Sequence, residues 1–446
     1  MRPELALQQA ADLRNQGRWD AAARQVVDLA CGEQAWSLQL QCVGFLKNIG
    51  RAEQALQICQ QLLQDAPGEY RPLALAQAGS LAQSLGYFDT AREHYLGAIE
   101  AGLDLNAWHI HAALAHLQRY TDSGHSDLAL FARLETDPRL NIAARTALWF
   151  ARAKACDDLG EDKQAALWLE QANRQERQLR PWERSSWQAG MERARAWSAV
   201  PLQRETQRGR PLFVLGMPRS GTTLLAERLG RHADIRLRGE LPFLDYVARQ
   251  WVYAGSPGEL GHLQQAASFY RAHLYQDDAP RKLYLDKNPM NLRYLGLIAS
   301  LFPDAAVIVC RRQLRDTALS LYFQQFAHAD YGFAQDFSDI AEVARDAASL
   351  FDQARLGADL DLREVEYEAL VTQPQTTLAA LLDWLGLDSS TATVSGAAAS
   401  SIGTASLWQA RQDIYTRSMG RWRRYARLLP GLLKLPSSGL GEIESG

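Results

Sequence analysis

The chain has 446 residues, 47% of them hydrophobic and 22% charged, and its formal net charge is −3. This length exceeds one ordinary core, so we expect two domains, or one domain with a repeat array. The balanced composition is typical of a soluble globular protein and excludes a global electrostatic attraction to nucleic acid or an acidic membrane surface.

The N-terminal part of the chain carries a recurring Gly that is followed five residues later by an Ala. The repeated glycines are Gly17, Gly50, Gly86, Gly124 and Gly160. Successive glycines are 33, 36, 38 and 36 residues apart, which brackets the roughly 34-residue tetratricopeptide period. In that repeat a Gly ends one helix and a small residue lets the next helix cross closely. The spacing predicts an all-α tetratricopeptide-repeat solenoid over residues 1–200.

Such an array offers an extended surface and no catalytic groups of its own. It serves either to pack against the rest of the protein or a second subunit, or to hold a peptide acceptor or carrier. Both roles stay open at this point, as does the oligomeric state.

The helical pattern is interrupted at Pro201, Gly209 and Pro211, just before the first apolar strand. We therefore expect a second domain over residues 201–446. The predicted strands are 212–215, 282–285, 305–310 and 362–365, and the predicted helices are 222–231, 291–302, 316–326 and 376–385. Alternation of this kind predicts an α/β domain in which helices cover a mainly parallel sheet.

The first strand leads into the loop GMPRSGTT at residues 216–223, and a helical pattern follows. Strand, Gly-rich loop and helix in this order predict a P-loop, whose backbone N–H groups bind an anion at the helix N-terminus. A Walker A loop has Lys where this chain has Thr222, and the charge here comes from Arg219. Such a loop serves a triphosphate with Mg²⁺ poorly, which disfavours a P-loop kinase.

Five motifs occur in order along the second part of the chain: PRSGTT, RGELPF, YLDKNPMN, VCRRQLRDTALS and SMGRWRRY. Together they resemble the PAPS-dependent sulfotransferases, above all the bacterial tetratricopeptide-containing branch related to the tyrosylprotein sulfotransferases. The resemblance covers about residues 210–430. It implies a P-loop sulfotransferase domain whose donor substrate is 3′-phosphoadenosine 5′-phosphosulfate (PAPS) and which needs no metal.

The resemblance also implies the donor contacts. The loop residues that hold the 5′-phosphosulfate are Arg219, Ser220, Gly221, Thr222 and Thr223. Arg312 and Ser320, eight residues apart, grip the 3′-phosphate, because a guanidinium at the carboxyl end of a strand is a two-pronged charged donor. Tyr367 contacts the nucleotide. Arg421 matches a basic residue that precedes a Trp, although a solvated basic helix face is the alternative there.

For catalysis, the resemblance implies that Glu240 is the general base that takes the acceptor's proton. Lys287 then neutralises the oxygen between sulfur and phosphorus as that bond breaks, and Ser406 contacts the same bridging region. A structural ion pair is the alternative for Glu240. The histidine nearest in sequence, His232, lies at the predicted end of the helix after the loop, which is a structural position.

The sequence thus predicts transfer of a sulfuryl group from PAPS to an acceptor hydroxyl. A tyrosine of a protein or peptide is the leading acceptor, and a small phenolic, glycan or lipid hydroxyl stays open. A non-catalytic repeat scaffold with a decayed enzyme domain predicts loss of Glu240, Lys287 or Arg312, and all three are present.

The compartment is predicted from cysteine usage and apolar segments. The five cysteines are odd in number and lack a CxxC pair, which argues against a disulfide framework and a zinc site. No signal-peptide core is present at the N-terminus, and no stretch approaches about 18 uncharged apolar residues. We expect a cytoplasmic protein without nucleic-acid or membrane partners.

Overall fold

The first part of the computed structural model is helical. The model describes residues 3–32, 35–65, 67–198, 200–204, 209–252, 259–326, 328–357, 360–389 and 416–436. Its helices before residue 200 are α1 (Pro3–Asn15), α2 (Trp19–Gly32), α3 (Trp36–Asn48), α4 (Ala52–Asp65), α5 (Arg71–Leu85), α6 (Phe88–Glu100), α7 (Ile110–Leu114), α8 (Ser126–Glu135), α9 (Ile142–Leu159), α10 (Asp162–Leu179) and α11 (Arg184–Ala196). The predicted all-α character of this part is confirmed.

Four of the five repeated glycines lie in the same turn between two packed helices. These are Gly17, Gly50, Gly86 and Gly160, with φ of +79°, +72°, +85° and +80°. In each turn the Gly N–H bonds to the carbonyl three residues back, and the next N–H bonds to the carbonyl five residues back. This is the Schellman arrangement, and it requires the left-handed φ that Gly adopts without strain.

The alanines of these four pairs are Ala22, Ala55, Ala91 and Ala165, and each is fully buried. The fifth pair differs, because Gly124 has no positive φ and Ala129 is exposed. The helix before Gly124 is the five-residue α7, which ends at Leu114, so Gly124 does not end a long helix. The tetratricopeptide assignment therefore stays a prediction that four of the five repeats support.

The second part is α/β, as predicted. Its strands are β1 (Arg210–Gly216), β2 (Ile235–Leu237), β3 (Leu283–Lys287), β4 (Ala306–Arg311) and β5 (Asp361–Glu366). Its α-helices are α12 (Thr222–Leu229), α13 (Phe243–Val247), α14 (Leu260–Tyr275), α15 (Leu295–Leu301), α16 (Leu314–Tyr322), α17 (Phe337–Gly357), α18 (Tyr367–Thr372), α19 (Pro374–Trp384) and α20 (Trp422–Tyr425). Shorter helical turns are the π-helix Ala248–Val252 and the 3₁₀ segments Pro289–Tyr294, Ala329–Gln335 and Pro430–Lys434.

All strand pairs of the sheet are parallel, in the order β2-β3-β1-β4-β5. The central strand β1 is apolar and rich in β-formers, and Leu212 to Leu215 are fully buried because helices cover both faces. In a parallel sheet all carboxyl ends lie at one edge. The residues that follow β1, β3 and β4 therefore meet there.

The sheet shares its hydrophobic core with the last helices of the helical part. Trp149 of α9 and Trp187 of α11 belong to the same buried cluster as Phe213 of β1. The Asn173 side chain of α10 also donates a buried hydrogen bond of 2.9 Å to the carbonyl of Tyr322. The division at residues 200 and 201 stays a prediction about the chain, and this core extends across it.

The first helical hairpin also contacts the α/β part. Asp277, just after α14, accepts hydrogen bonds from the backbone N–H groups of Asp20 (2.6 Å) and Ala21 (3.0 Å) and so caps α2. The Trp19 indole donates to His273 Nδ1 at 3.1 Å. Both ends of the helical part are thus attached to the α/β part. No helix among the described residues is long and apolar enough to cross a membrane.

Candidate active site

The loop after β1 has the backbone of an anion-binding turn. Gly216 and Gly221 have φ of +151° and +104°. A Cβ on Gly216 would lie 2.5 Å from the Cys310 carbonyl oxygen, and one on Gly221 would lie 2.6 Å from the Tyr367 ring. Arg219 also has a left-handed φ of 72°. Both glycines are therefore required, and the turn is close against β4 and α18.

Three hydroxyl side chains of this loop lie at the N-terminus of α12. Ser220, Thr222 and Thr223 are buried, at 2%, 3% and 7% exposure. The Ser220 hydroxyl oxygen has no hydrogen-bond partner among the described residues. A buried unpartnered hydroxyl beside the free N–H groups of a helix start is suited to an oxyanion.

Arg219, Arg312, Ser320 and Tyr367 come together beside the loop. Arg219 Nε donates to Ser320 Oγ at 2.9 Å, and Arg312 donates to the Arg219 carbonyl at 3.0 Å. The Arg312 guanidinium carbon lies 4.5 Å from the centre of the Tyr367 ring. The end of β4 thus places the Arg312 guanidinium next to the loop. Ser320 of α16 and Tyr367 of α18 lie beside it.

Strand register explains why Arg312 and not its neighbour lies at this position. Arg311 is the last residue of β4, and its guanidinium donates to Glu364 of β5 at 2.7 Å. Arg312 follows the strand and lies at the edge where the loop begins. It is 8% exposed, and its buried Nε has no partner within the described part of the chain.

Glu240 and Lys287 form an ion pair at the same edge of the sheet. Lys287 ends β3 and its side chain is fully buried, whereas the Glu240 side chain is 35% exposed. The Lys287 backbone N–H bonds to the Gly239 carbonyl at 2.8 Å, which aligns the two segments. The pair thus joins a carboxylate that solvent can reach to a buried ammonium.

Asp286, which precedes Lys287 in β3, helps to position the segment after Glu240 and was not among the predicted site residues. Its buried carboxylate accepts hydrogen bonds from the Leu241 backbone N–H (3.1 Å), the Tyr270 hydroxyl (2.5 Å) and the Asn291 amide (2.9 Å). Burial raises the pKa of Asp286 to about 7, although these hydrogen bonds oppose the shift. The signal in the sequence was an acidic residue directly after the apolar residues Leu283 to Leu285 of the strand.

An aromatic pair lies near Glu240. The rings of Phe326 and Tyr331 stack with centroids 4.7 Å apart and planes 8° from parallel. Burial raises the pKa of Tyr331, and the negative charge of Glu240 raises it further. A flat apolar surface is therefore within electrostatic reach of the exposed carboxylate.

Arg421, a predicted donor-site residue, pairs with Asp157 of α9, with Nη2 2.8 Å from Oδ2, and its guanidinium carbon lies 4.1 Å from the centre of the Phe323 ring. Its predicted nucleotide contact stays a prediction. Ser406 lies outside the described residues. His232 is a structural residue, because its Nδ1 accepts from the Asp234 N–H at 3.1 Å and its ring lies 3.3 Å from the Asp388 carbonyl.

A loop with two positive-φ glycines joins β1 to α12 at the carboxyl edge of a parallel sheet, so this part of the chain is an α/β domain with that loop at the sheet edge. Residues 211–391 match the model of the sulfotransferase family. Over these residues the chain is similar to that family. The described residues include no cluster of three or more His, Cys, Asp or Glu that could hold a metal ion.

Relatives match over the same region. An uncharacterized protein of Aquifex aeolicus (strain VF5) is 32% identical over 252 residues, which are 53% of this chain and 33% of that protein. Protein-tyrosine sulfotransferase 1 of Danio rerio is 26% identical over 188 residues, which are 40% of this chain and 53% of that protein. This chain therefore spans a third to a half of these relatives. The solved sulfotransferase domain of the Synechococcus PCC 7002 olefin synthase is 21% identical, covering 53% of this chain and 96% of that domain, with a TM-score of 0.36.

Proposed function

We propose that the chain transfers the sulfuryl group of PAPS to an acceptor hydroxyl. One observation carries the proposal: the loop at residues 216–223 and the Arg312 guanidinium lie side by side, because Arg312 donates to the carbonyl of Arg219 in that loop, and each is suited to an anion. PAPS carries a phosphosulfate on its 5′ side and a separate phosphate on its 3′ oxygen, so its two anions require two such groups.

The residues present fit this donor. The Ser220 hydroxyl and the Arg312 Nε are buried without partners among the described residues, so each has a hydrogen bond to give. The two loop glycines let the backbone approach the ligand closely. The Tyr367 ring beside Arg312 offers a flat apolar face to the nucleotide. Lys287 supplies charge from the neighbouring strand.

The reaction we propose is an in-line substitution at sulfur. Glu240 accepts the proton of the acceptor hydroxyl as its oxygen bonds to sulfur. The bond between sulfur and the bridging oxygen breaks, and Lys287 and the loop donors stabilise the charge that develops on that oxygen. The products are a sulfate ester and 3′,5′-adenosine bisphosphate, and the proton remains on Glu240 until solvent takes it. Positioning supplies most of the acceleration.

The acceptor we propose is a tyrosine in a protein or peptide. The match to the Danio rerio enzyme supports this class, as does the stacked pair Phe326 and Tyr331, against which a phenol ring can pack. The helical part is then the surface that holds the polypeptide. We place the reaction in the cytoplasm, in keeping with five cysteines that are not joined in disulfides. A small phenolic, glycan or lipid hydroxyl is the alternative acceptor.

Calorimetric titration of the full chain tests the donor. We expect 3′,5′-adenosine bisphosphate to bind without metal and ATP with Mg²⁺ to bind far more weakly. Tighter binding of ATP with Mg²⁺ would overturn the proposal and favour a P-loop kinase.

The acceptor is tested with radiolabelled PAPS and paired peptides that differ only by Tyr or Phe. Labelling of a phenol but of neither peptide would exclude the polypeptide acceptor.

A further inference from the structure

The segment 416–436, on the far side of the undescribed stretch 390–415, reaches the proposed donor site at Ser418. The Ser418 carbonyl accepts a hydrogen bond from Arg312 Nη2 at 2.8 Å. The Ser418 hydroxyl and the Tyr367 hydroxyl are 2.6 Å apart. One residue of this segment therefore orients both the guanidinium and the ring that we assign to the nucleotide.

The turn that carries Ser418 is held on the α/β side by Asp316 of α16. Its carboxylate accepts the backbone N–H groups of Gly420 at 2.6 Å and Trp422 at 3.0 Å. Asp316 is 3% exposed, so these are buried, charge-assisted hydrogen bonds. They fix the backbone just after Ser418.

The same turn is held on its other side by Asp157, near the end of α9 in the helical part. Asp157 accepts from the Tyr425 hydroxyl at 2.7 Å and pairs with Arg421 at 2.8 Å. Their side chains are 13% exposed for Asp157 and 20% for Arg421, so water screens the pair only partly. The Arg421 guanidinium also lies 4.1 Å from the centre of the Phe323 ring.

We infer that Asp157 is a positioning residue for the 3′-phosphate group of the donor, acting through Arg421, Tyr425 and Ser418 on Arg312. The inference rests on the proposed function. Without the Asp157 carboxylate, Arg421 and Tyr425 lose their shared acceptor, and the turn is held to the helical part through the exposed pair of Arg424 with Asp162. Arg312 then loses the carbonyl that orients it, although its own charge is unchanged. The helical part thus contributes to donor affinity and is more than a platform for the acceptor.

The test is titration of full-length Asp157→Asn with 3′,5′-adenosine bisphosphate and with 5′-AMP, which lacks the 3′-phosphate. We expect affinity for the bisphosphate to fall about tenfold, within the range for a coupled residue outside the ligand's reach. Affinity for 5′-AMP should fall by a smaller factor, because this ligand has no 3′-phosphate for Arg312 and meets only the Tyr367 ring that Ser418 also orients. Tyr425→Phe removes only the hydroxyl and keeps the ring against Phe323, so it tests the same link, with a smaller loss expected, if the Asn variant fails to fold.

Asp346→Asn is the matched control. Asp346 of α17 also joins the helical and α/β parts, because it pairs with Arg195 and accepts from the Trp187 indole, but it has no part in the link through Arg421. It should bind both ligands as the unaltered chain does. The inference is supported if Asp157→Asn loses the preference for the bisphosphate over 5′-AMP and the control variant keeps it. An unchanged ratio of affinities, or equal weakening for both ligands, refutes it. If the unaltered chain itself does not prefer the bisphosphate, the proposed donor is wrong, which is a different result.

Discussion

At the scale of single residues, Glu240 and Lys287 are 47 residues apart in sequence and form an ion pair. Hydrogen bonds of the backbone on both sides of Glu240 bring them together. Lys287 donates its backbone N–H to the residue before Glu240, and Asp286 accepts the N–H of the residue after it. This geometry defines where the carboxylate stands relative to the buried ammonium. It also predicts which substitutions separate binding from turnover.

Glu240→Gln keeps the size of the side chain and removes its ability to accept a proton. We expect turnover to fall by about a hundredfold to ten-thousandfold, as for loss of a general base. Bisphosphate affinity should hardly change. Sulfate transfer and calorimetry measure the two quantities, and Glu342→Gln, whose carboxylate pairs with Arg184, serves as a control. Retained turnover in Glu240→Gln would remove this residue as the base.

Asp286 predicts a pH dependence of stability. Its pKa is raised to about 7 in the folded chain from an ordinary value of 3.8, so the folded state holds a proton that the unfolded state releases. Its contribution is fully present below about pH 4 and is lost as pH rises through 7. The free energy of unfolding should therefore fall between about pH 4 and 7 by at most about 1.4 kcal/mol per unit from this group and level off above pH 7. Urea titrations of the unaltered chain and Asp286→Asn across this range measure it, and identical pH profiles would contradict the assignment.

At the scale of elements, the loop between β1 and α12 depends on backbone conformation more than on side chains. Gly221 is the residue before α12, with a φ of +104°, and a Cβ there would lie 2.6 Å from the Tyr367 ring. Gly190 of α11 is helical and has open space where a Cβ would lie. The same substitution should therefore have opposite effects at the two sites.

Gly221→Ala should lower the free energy of unfolding by about 1–3 kcal/mol, because an L side chain is strained at this φ. It should also abolish bisphosphate binding. Gly190→Ala should raise the free energy of unfolding by about 0.5–1 kcal/mol and leave binding unchanged. Denaturant titration and calorimetry check both variants. Normal binding by Gly221→Ala would show that the loop does not hold the donor.

The predicted bounds of helices and strands agree with the structure where a local run of apolar residues defines the element. The predicted strand 305–310 and the observed β4 (Ala306–Arg311) differ by one residue at each end. The predicted helix 291–302 is instead a 3₁₀ turn followed by α15, because Asn288 caps a tight turn at Pro289 through the Met290 N–H. The 21-residue α17 was missed. No chemical motif lies on it, and its apolar stripe shows only when the whole segment is tested for helical period.

At the scale of the whole molecule, the helical and α/β parts form a joint structure. They share one core through α9–α11 and the sheet, α2 is capped from the α/β part, and Asp157 holds the C-terminal turn. A core of this kind cannot be cut without exposing apolar surface.

Truncation tests this joint core. A fragment of residues 205–446 lacks α9–α11 and should aggregate, because Phe213 and its neighbours lose their partners. A fragment of residues 141–446 keeps those helices and should bind the bisphosphate, although it exposes the face of α9 around Leu148 that packs against the preceding helices. Gel filtration and calorimetry compare the two fragments. A soluble 205–446 fragment with normal affinity would show that the helical part is independent of the enzyme domain.

The sequence alone determined the features that depend on neighbouring residues. The anion loop, the parallel α/β series and four of the helix turns follow from Gly φ, strand apolarity and helical period, which act over a few residues. Arg312 was distinguished from Arg311 by motif register, and strand pairing shows why, since Glu364 holds Arg311.

Only the tertiary structure decided the contacts between residues far apart in sequence. Asp157 and Arg421 are 264 residues apart, and no local pattern connects them. Asp286 gains its three donors, and α9–α11 join the sheet, only once the chain has folded. The physical reason is that burial and long-range hydrogen bonding depend on which surfaces pack together. A single sequence records the surfaces but not their pairing.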